Sequence, residues 1–146
     1  MSQKATESIV VNASPEALYA VAIDFSSYPS WVADLKNVTI LSSDDQGRAL
    51  EVEFRAAAFG RSSTYTLRYD YSQGPDVLSW TQVRGDLTTQ LDGSYRFVPE
   101  GGTTKVTYEL IVELLVPIPS FVKSRAASRI QAQALRELKA QAERLG

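Results

Sequence analysis

The 146-residue sequence contains no cysteine and no histidine. Without cysteine it has no disulfide, no thiolate nucleophile and no cysteine-ligated zinc site. Without histidine it lacks the commonest general base and the commonest metal ligand. Serine–histidine–aspartate and cysteine–histidine catalysis within the chain are therefore excluded. An enzyme of this sequence would depend on Asp, Glu, Tyr, Lys, Arg or bound water, and we expect neither a metal nor a cofactor.

A strong charge of one sign and a long apolar run are also missing. The formal net charge is −2, so the global basic excess on which nucleic-acid binding relies is absent, and we expect no nucleic-acid partner. The apolar run Leu110 to Ile118 contains Glu113 and Pro117 and is too short to span a bilayer. The first seven residues are polar and no apolar signal segment follows. These features predict a cytoplasmic protein without membrane insertion.

The residues that are present have the composition of a globular protein. Hydrophobic residues make up 44% and charged residues 22%, and the length suits one domain covering residues 1–146. Runs rich in β-branched and aromatic residues are separated by clusters of Gly, Pro and Asp, which favour tight turns. This spacing predicts a meandering antiparallel sheet. The turn clusters lie at 43–47, 59–60, 72–76, 85–86 and 99–102.

Apolar and polar residues alternate along four of the predicted strands, at 50–56, 64–71, 91–97 and 106–114. This period of two predicts a sheet with one buried face and one solvated face. In the strand at 77–83 we place Trp80 inward, because burial of a large apolar ring is worth about 1.5–3 kcal/mol or more. The predicted inward aromatic residues are Phe54, Tyr65, Tyr69, Trp80, Tyr95 and Tyr108.

Two short helices are predicted after the first strand. Ser14 is followed by Pro15 and Glu16, which is the pattern of an N-cap, a proline in the first turn and an early acid. This helix runs to about Ala22, and Asp24 is the expected N-cap of a second short turn that extends to residue 31.

A long helix is predicted from about Pro119 to Leu145, a length of roughly 40 Å. One helix of this length is expected to cover the apolar face of one sheet, since each must bury a single side. The fold class is therefore α+β, with the order strand, two short helices, six strands and a long helix. The predicted apolar stripe of the long helix is Val122, Ala126, Ile130, Ala134 and Leu138.

Four stretches carry a resemblance to a known family: the opening strand with residues 13–19, then DFSSYPSW at 24–31, residues 91–108, and PIPSFV at 117–122. They resemble the START-like (SRPBCC) superfamily and, more narrowly, its polyketide cyclase/dehydrase and lipid-transport family. The resemblance implies the helix-grip fold, in which a curved seven-stranded antiparallel sheet wraps around a long C-terminal helix. It also implies a cavity between sheet and helix that receives an apolar ligand. It supplies no catalytic residue that maps onto this chain.

The predicted interior has two interpretations. Rings on the sheet that face Ala126 and Ala134 either interdigitate into a filled core or leave a cavity. Four inward tyrosines favour the cavity, since buried hydroxyls need partners that water or a ligand can supply. The predicted ligand-binding residues are Trp31, Phe54, Tyr65, Tyr69, Trp80, Tyr95, Tyr108, Phe121, Val122, Arg125, Ala126 and Ile130.

Individual residues also have two interpretations each. Trp31 either caps the mouth of the cavity or anchors the short helix to the sheet. Arg125 either turns inward, to pair with a carboxylate or enolate of the ligand, or extends into solvent. From residue 117 onward, six basic and two acidic residues give a net charge of +4. This basic helix either docks an acidic protein, such as an acyl carrier protein, or is simply solvated.

Three functions follow in order of preference. The first is a carrier or sensor of a hydrophobic small molecule: a lipid, polyketide, isoprenoid or aromatic compound. The second is a polyketide cyclase or aromatase that positions its substrate through tyrosine hydroxyls and Arg125, without His, Cys or metal. The third is an interaction protein of the ribosome-associated or quinone-helper kind. The sequence leaves open whether any reaction is catalysed.

Overall fold

The computed structural model describes residues 4–58 and 61–146. In these residues, seven strands and a long C-terminal helix account for most of the chain, and two short helices follow the first strand. The elements are β1 (Lys4–Val11), α1 (Pro15–Ile23), a 3₁₀ turn (Phe25–Ser27), α2 (Tyr28–Trp31), β2 (Leu35–Ser43), β3 (Ala49–Ala58), β4 (Arg61–Asp70), β5 (Val77–Gly85), β6 (Thr88–Glu100), β7 (Thr103–Leu114) and α3 (Ser120–Leu145).

The strands form one antiparallel sheet in the order β1-β7-β6-β5-β4-β3-β2. Strands β2 to β6 each pair with the next strand of the chain, and β1 pairs with β7 in an unbroken register. β1 and β2 are therefore the two edges, and α3 packs across β1 and β7. The predicted seven-stranded helix-grip fold, with its order of elements, is confirmed.

The two capping residues lie where the sequence places them. Ser14 Oγ accepts a hydrogen bond from the backbone N–H of Ala17 at 3.1 Å, which caps α1. Asp24 occupies the N-cap position of the 3₁₀ turn, but its carboxylate accepts from the Ser27 hydroxyl at 2.7 Å rather than from a backbone N–H. The reason is geometric, because side chains three residues apart are eclipsed in a 3₁₀ turn.

The inward face of the sheet also agrees with the alternating pattern. Trp80 is 6% exposed and Phe54 is 3% exposed, and both point toward α3 among the other core residues. Tyr69 and Tyr108 are buried, whereas Tyr65 and Tyr95 are half-buried. The period of two therefore predicted the facing of Phe54, Tyr69 and Tyr108 correctly, and the inward placement of Trp80, which was based on the size of its ring, is also confirmed.

The apolar stripe predicted for α3 is not the face that packs on the sheet, so this prediction is wrong. Of its five residues only Leu138 is buried, while Val122 and Ile130 are 41% and 38% exposed. The helix is rotated by about one residue, or 100°, because it packs on β1, β7 and α1, and the predicted stripe faces the open space over the other strands. The buried residues of α3 are Ala127, Gln131, Leu135, Leu138, Gln141 and Ala142.

Gln131 is the polar residue at the centre of this buried face. Its side-chain amide N–H₂ donates to the carbonyl oxygens of Ala5 in β1 and Tyr108 in β7, both at 2.9 Å. One side chain thus joins α3 to two neighbouring strands. These bonds help to fix the rotation of α3 over the sheet.

Candidate functional site

A cavity of about 670 Å³ lies between the inward face of the sheet and α3. We call it the sheet–helix cavity. Its volume lies within the range of small-molecule binding sites. The interior is therefore not the filled aromatic core that the sequence left as an alternative. The cavity exists because α3 packs on β1 and β7, whereas only the short helical segments reach the inward face of β3 and β4, where Phe25 contacts Tyr69 and Tyr28 contacts Phe54.

All twelve residues predicted to bind a ligand line this one cavity. They come from α2, five strands and α3, so tertiary structure brings together positions that are up to 99 residues apart. Their part in binding stays a prediction. The twelve are Trp31, Phe54, Tyr65, Tyr69, Trp80, Tyr95, Tyr108, Phe121, Val122, Arg125, Ala126 and Ile130.

The rings of the sheet form a continuous aromatic wall. Tyr95 and Tyr108 lie opposite each other on β6 and β7, with ring centroids 4.7 Å apart. Trp80 contacts both, at 5.3 Å from Tyr95 and 5.8 Å from Tyr108. Phe54 stacks on Tyr65 at 5.5 Å further along the sheet. These separations suit offset or edge-to-face packing, so the wall is rigid as well as apolar.

The polar atoms of this wall are tyrosine hydroxyls and the indole N–H of Trp80. Tyr28 and Tyr71 donate to the backbone carbonyls of Ala22 and Ala49, as buried tyrosines normally do. The other hydroxyls have no hydrogen bond within residues 4–58 and 61–146, and they remain in reach of water in the cavity. These free donors belong to Tyr65, Tyr69, Tyr95 and Tyr108.

Burial determines the protonation state of these hydroxyls. It raises the pKa of Tyr65 to about 12 and the pKa of Tyr69, Tyr95 and Tyr108 further above the ordinary value of 10. All four are therefore neutral at physiological pH and can donate to a ligand oxygen. None is suited to act as a general base near pH 7.

One edge of α3 adds polar residues that sequence reasoning missed. Gln133 Nε2 donates to Asp34 Oδ2 at 3.1 Å, and Glu137 Oε2 accepts from the backbone N–H of Ala33 at 2.9 Å. These bonds join α3 to the α2–β2 loop beside the cavity. Gln133 and Glu137 each lie one residue before a position of the predicted stripe, at Ala134 and Leu138. A helix places residues three and four positions apart on the same side, so these polar positions beside the apolar stripe could have been found from the sequence.

The exposed lining residues of α3 mark one opening of the cavity. Phe121 is 67% exposed, and Val122, Arg125, Arg129 and Ile130 are exposed beside it on the N-terminal half of α3. We call these five residues the cavity mouth. A ligand that reaches the aromatic wall therefore passes an apolar surface that carries two arginines.

The structure also describes the two residues with alternative interpretations. Trp31 is half-buried, lines the cavity, and packs its ring 5.0 Å from that of Tyr28. It therefore borders the cavity and packs on a residue of its own helix, and it is Tyr28 that contacts the sheet, at 6.2 Å from the Phe54 ring. Arg125 is exposed at the mouth and is not turned into the interior, although it still lines the cavity.

Within residues 4–58 and 61–146, no three acidic side chains come together in a way that could hold a metal ion. No helix in the same residues is both long enough and apolar enough to cross a membrane.

Known proteins share this architecture. Residues 2–143 match the model of the family described as polyketide cyclase / dehydrase and lipid transport. A START superfamily protein from Mycobacterium smegmatis superposes with a TM-score of 0.93 at 23% identity, over 98% of this chain and 99% of that chain. The Zhui aromatase/cyclase from Streptomyces sp. R1128 superposes with a TM-score of 0.83 at 16% identity, over 99% and 95% of the two chains.

A third solved structure, the di-domain ARO/CYC BexL from the BE-7585A biosynthetic pathway, has a TM-score of 0.75 at 16% identity. The match covers 97% of this chain and 50% of that chain. No curated protein matches the sequence significantly. Identities this low establish a shared fold and leave the ligand to be argued from the cavity itself.

Proposed function

This chain belongs to the polyketide cyclase / dehydrase and lipid-transport family, and we propose that it binds a hydrophobic small molecule in the sheet–helix cavity as a carrier or sensor. The observation that carries the proposal is the cavity of about 670 Å³, with its aromatic wall and four unpartnered hydroxyls. The ligand classes that fit are a lipid, a polyketide, an isoprenoid or an aromatic compound.

The lining explains how affinity and orientation would be divided. Burial of apolar surface supplies about 25 cal/mol per Å², so the rings contribute most of the affinity. The hydroxyls contribute orientation, because each can donate one hydrogen bond to a carbonyl or phenol oxygen of the ligand. An apolar molecule that carries several such oxygens therefore fits better than a plain hydrocarbon.

The test is to fill the cavity from α3. Ala126 is half-buried on the cavity wall, whereas Ala140 is exposed on the same helix and does not line the cavity. We expect Ala126→Trp to weaken the binding of the neutral fluorescent probe N-phenylnaphthylamine at least tenfold, since the indole occupies the probe's space. Ala140→Trp should bind like the unmodified protein.

Two further measurements decide the outcome. Circular dichroism of both variants must show the same fold, so that weaker binding reports the cavity alone. If Ala126→Trp binds the probe as tightly as Ala140→Trp, the cavity is not the binding site and the proposal fails. If the binding of the probe is weakened only in Ala126→Trp, native mass spectrometry of the protein purified from its own host identifies the class of the natural ligand.

A second candidate function is polyketide cyclisation, and the free tyrosine hydroxyls favour it. A donor aimed at a developing enolate oxygen can contribute about 10²–10³ in rate, and confinement of the chain contributes further through positioning. The raised pKa values keep these tyrosines neutral, so they act as hydrogen-bond donors and not as bases. Incubation with a carrier-tethered poly-β-ketone should then change the product distribution, and Tyr108→Phe should reduce the change. An unaltered distribution would dismiss this candidate.

Two predictions from the sequence remain predictions. One is an acidic protein partner at the basic helix. The attraction of the helix for such a partner is reduced, because Lys123 is already paired with Glu113 and Lys139 with Glu143. A cytoplasmic location is likewise expected from the sequence alone.

A further inference from the structure

Four polar residues on one side of α3 line the cavity. The two nearer the C-terminus have hydrogen-bond partners in the protein, and the two nearer the N-terminus have none among the described residues. Toward the C-terminus, Gln133 and Glu137 are bonded to the α2–β2 loop. Toward the N-terminus, Arg125 and Arg129 line the cavity and make no hydrogen bond or ion pair with any residue that the structure describes. The edge therefore ends in two unpaired cations at the mouth.

Unpaired cations are not a general property of this helix. Lys123 Nζ lies 2.6 Å from Glu113 Oε1, and Lys139 Nζ lies 2.8 Å from Glu143 Oε2. Arg136 is exposed but does not line the cavity. Arg125 and Arg129 are thus the arginines of α3 that combine a position on the cavity with the lack of a protein anion.

Their spacing suits a single anionic group. Four residues of helix place the two side chains one turn apart, about 6 Å along the axis, on the same side of α3. Two carboxylates line the cavity, and both already accept hydrogen bonds: Glu137, about 12 Å further along the axis from Arg129, accepts from the N–H of Ala33, and Asp34 accepts from Gln133. Guanidinium groups bind carboxylate and phosphate oxygens through paired N–H donors.

We propose that the sheet–helix cavity binds an amphipathic anion, with a carboxylate or phosphate head against Arg125 and Arg129 and an apolar body along the aromatic wall. This inference rests on the proposed function, because it requires the cavity to hold an apolar molecule. It adds the polarity of the ligand: the head remains at the mouth and the body lies inside.

The experiment compares three ligands of equal chain length: dodecanoic acid, dodecyl phosphate and dodecanol. Each displaces N-phenylnaphthylamine from the full chain at neutral pH and low salt. We expect at least one anion to bind about tenfold more tightly than the alcohol, and we expect added salt to reduce this ratio. The stronger of the two anions identifies the head group.

The arginines are tested by single variants. Arg125→Gln and Arg129→Gln should each bring the anion-to-alcohol ratio toward one, while Arg136→Gln, the matched control, keeps the ratio of the unmodified protein. Equal affinity for anion and alcohol, or an equal loss in Arg136→Gln, would overturn the inference and leave the proposed function standing. A folded protein that binds neither the probe nor any of the three ligands would overturn both.

Discussion

Gly93 and Trp80 lie directly opposite each other on β6 and β5, and the indole occupies the space that a side chain at Gly93 would take. A Cβ atom at Gly93 would lie 2.7 Å from the Trp80 ring and 2.6 Å from the carbonyl oxygen of Glu109. The absence of a side chain therefore lets Trp80 lie flat against the sheet. In that position it contacts Tyr95 and Tyr108 and forms the middle of the aromatic wall.

Replacement of Gly93 by alanine should destabilise the protein by about 1–3 kcal/mol. An ordinary strand glycine gains about 0.5–1 kcal/mol on such a change, but here the added methyl meets a backbone oxygen that cannot move aside. Denaturant unfolding measures the effect, and tryptophan fluorescence should report a displaced Trp80. Ser94→Ala, on the outer side of the same strand, is the control. A Gly93→Ala protein of raised stability would contradict the packing described here.

Removal of single tyrosine hydroxyls should separate affinity from stability. Tyr95→Phe deletes an unpartnered hydroxyl of the cavity, so we expect weaker binding of dihydroxyanthraquinone, by about three- to tenfold, with little change in stability. Tyr71→Phe deletes a hydroxyl that donates to Ala49 O and does not line the cavity. It should cost about 1 kcal/mol of stability and leave binding intact. Titration and urea unfolding of both variants check this, and a reversed pattern would refute it.

Alkaline pH should destabilise the protein through the buried tyrosines. Their pKa is raised in the folded state, to about 12 for Tyr65, from the ordinary value of 10. The folded state therefore holds protons that the unfolded state loses above pH 10, and stability falls as the pH rises from about 10 to 12. Below pH 10 these groups produce no change. Urea unfolding across this range measures the slope, which Tyr65→Phe should reduce. Free ionisation of every tyrosine near pH 10 in the folded protein would contradict the prediction.

The α2–β2 loop should control how quickly a ligand leaves. Glu137 joins α3 to this loop through the N–H of Ala33, so Glu137→Ala should release N-phenylnaphthylamine several-fold faster in stopped-flow displacement. Glu143 makes an equivalent bond to the N–H of Asn12 at 2.8 Å but does not line the cavity. Glu143→Ala is therefore the matched control, and equal release rates in the two variants would exclude the loop as a gate.

Local patterns predicted most of the architecture. Alternation along the strands assigned Phe54, Tyr69 and Tyr108 to the inward face, the size of its ring assigned Trp80, and all four residues are buried there. The Ser14 cap and the proline at the start of α1 were also readable, because capping depends on neighbours within one turn. The resemblance to a family then supplied the closure of these elements into a helix-grip fold, which short-range patterns do not contain.

The rotation of α3 was not readable in the same way. The stripe from Val122 to Leu138 is apolar at helical spacing, and an apolar stripe normally packs on the sheet. The face that does pack contains Gln131, whose amide bonds to Ala5 and Tyr108 make a polar side chain suitable for burial. Its two partners are 126 and 23 residues away along the chain, so no local pattern could indicate them.

By itself the sequence determined which residues are apolar, where the chain turns and which side of each strand is buried, because these properties depend on side-chain chemistry at short spacing. Tertiary structure alone decided that α3 rests on β1 and β7 with its alanine stripe turned toward open space. That placement creates the cavity and leaves Arg125 and Arg129 at its mouth. The physical reason is that a helix on a curved sheet adopts the rotation that satisfies all of its long-range contacts together, and those contacts exist only in the folded chain.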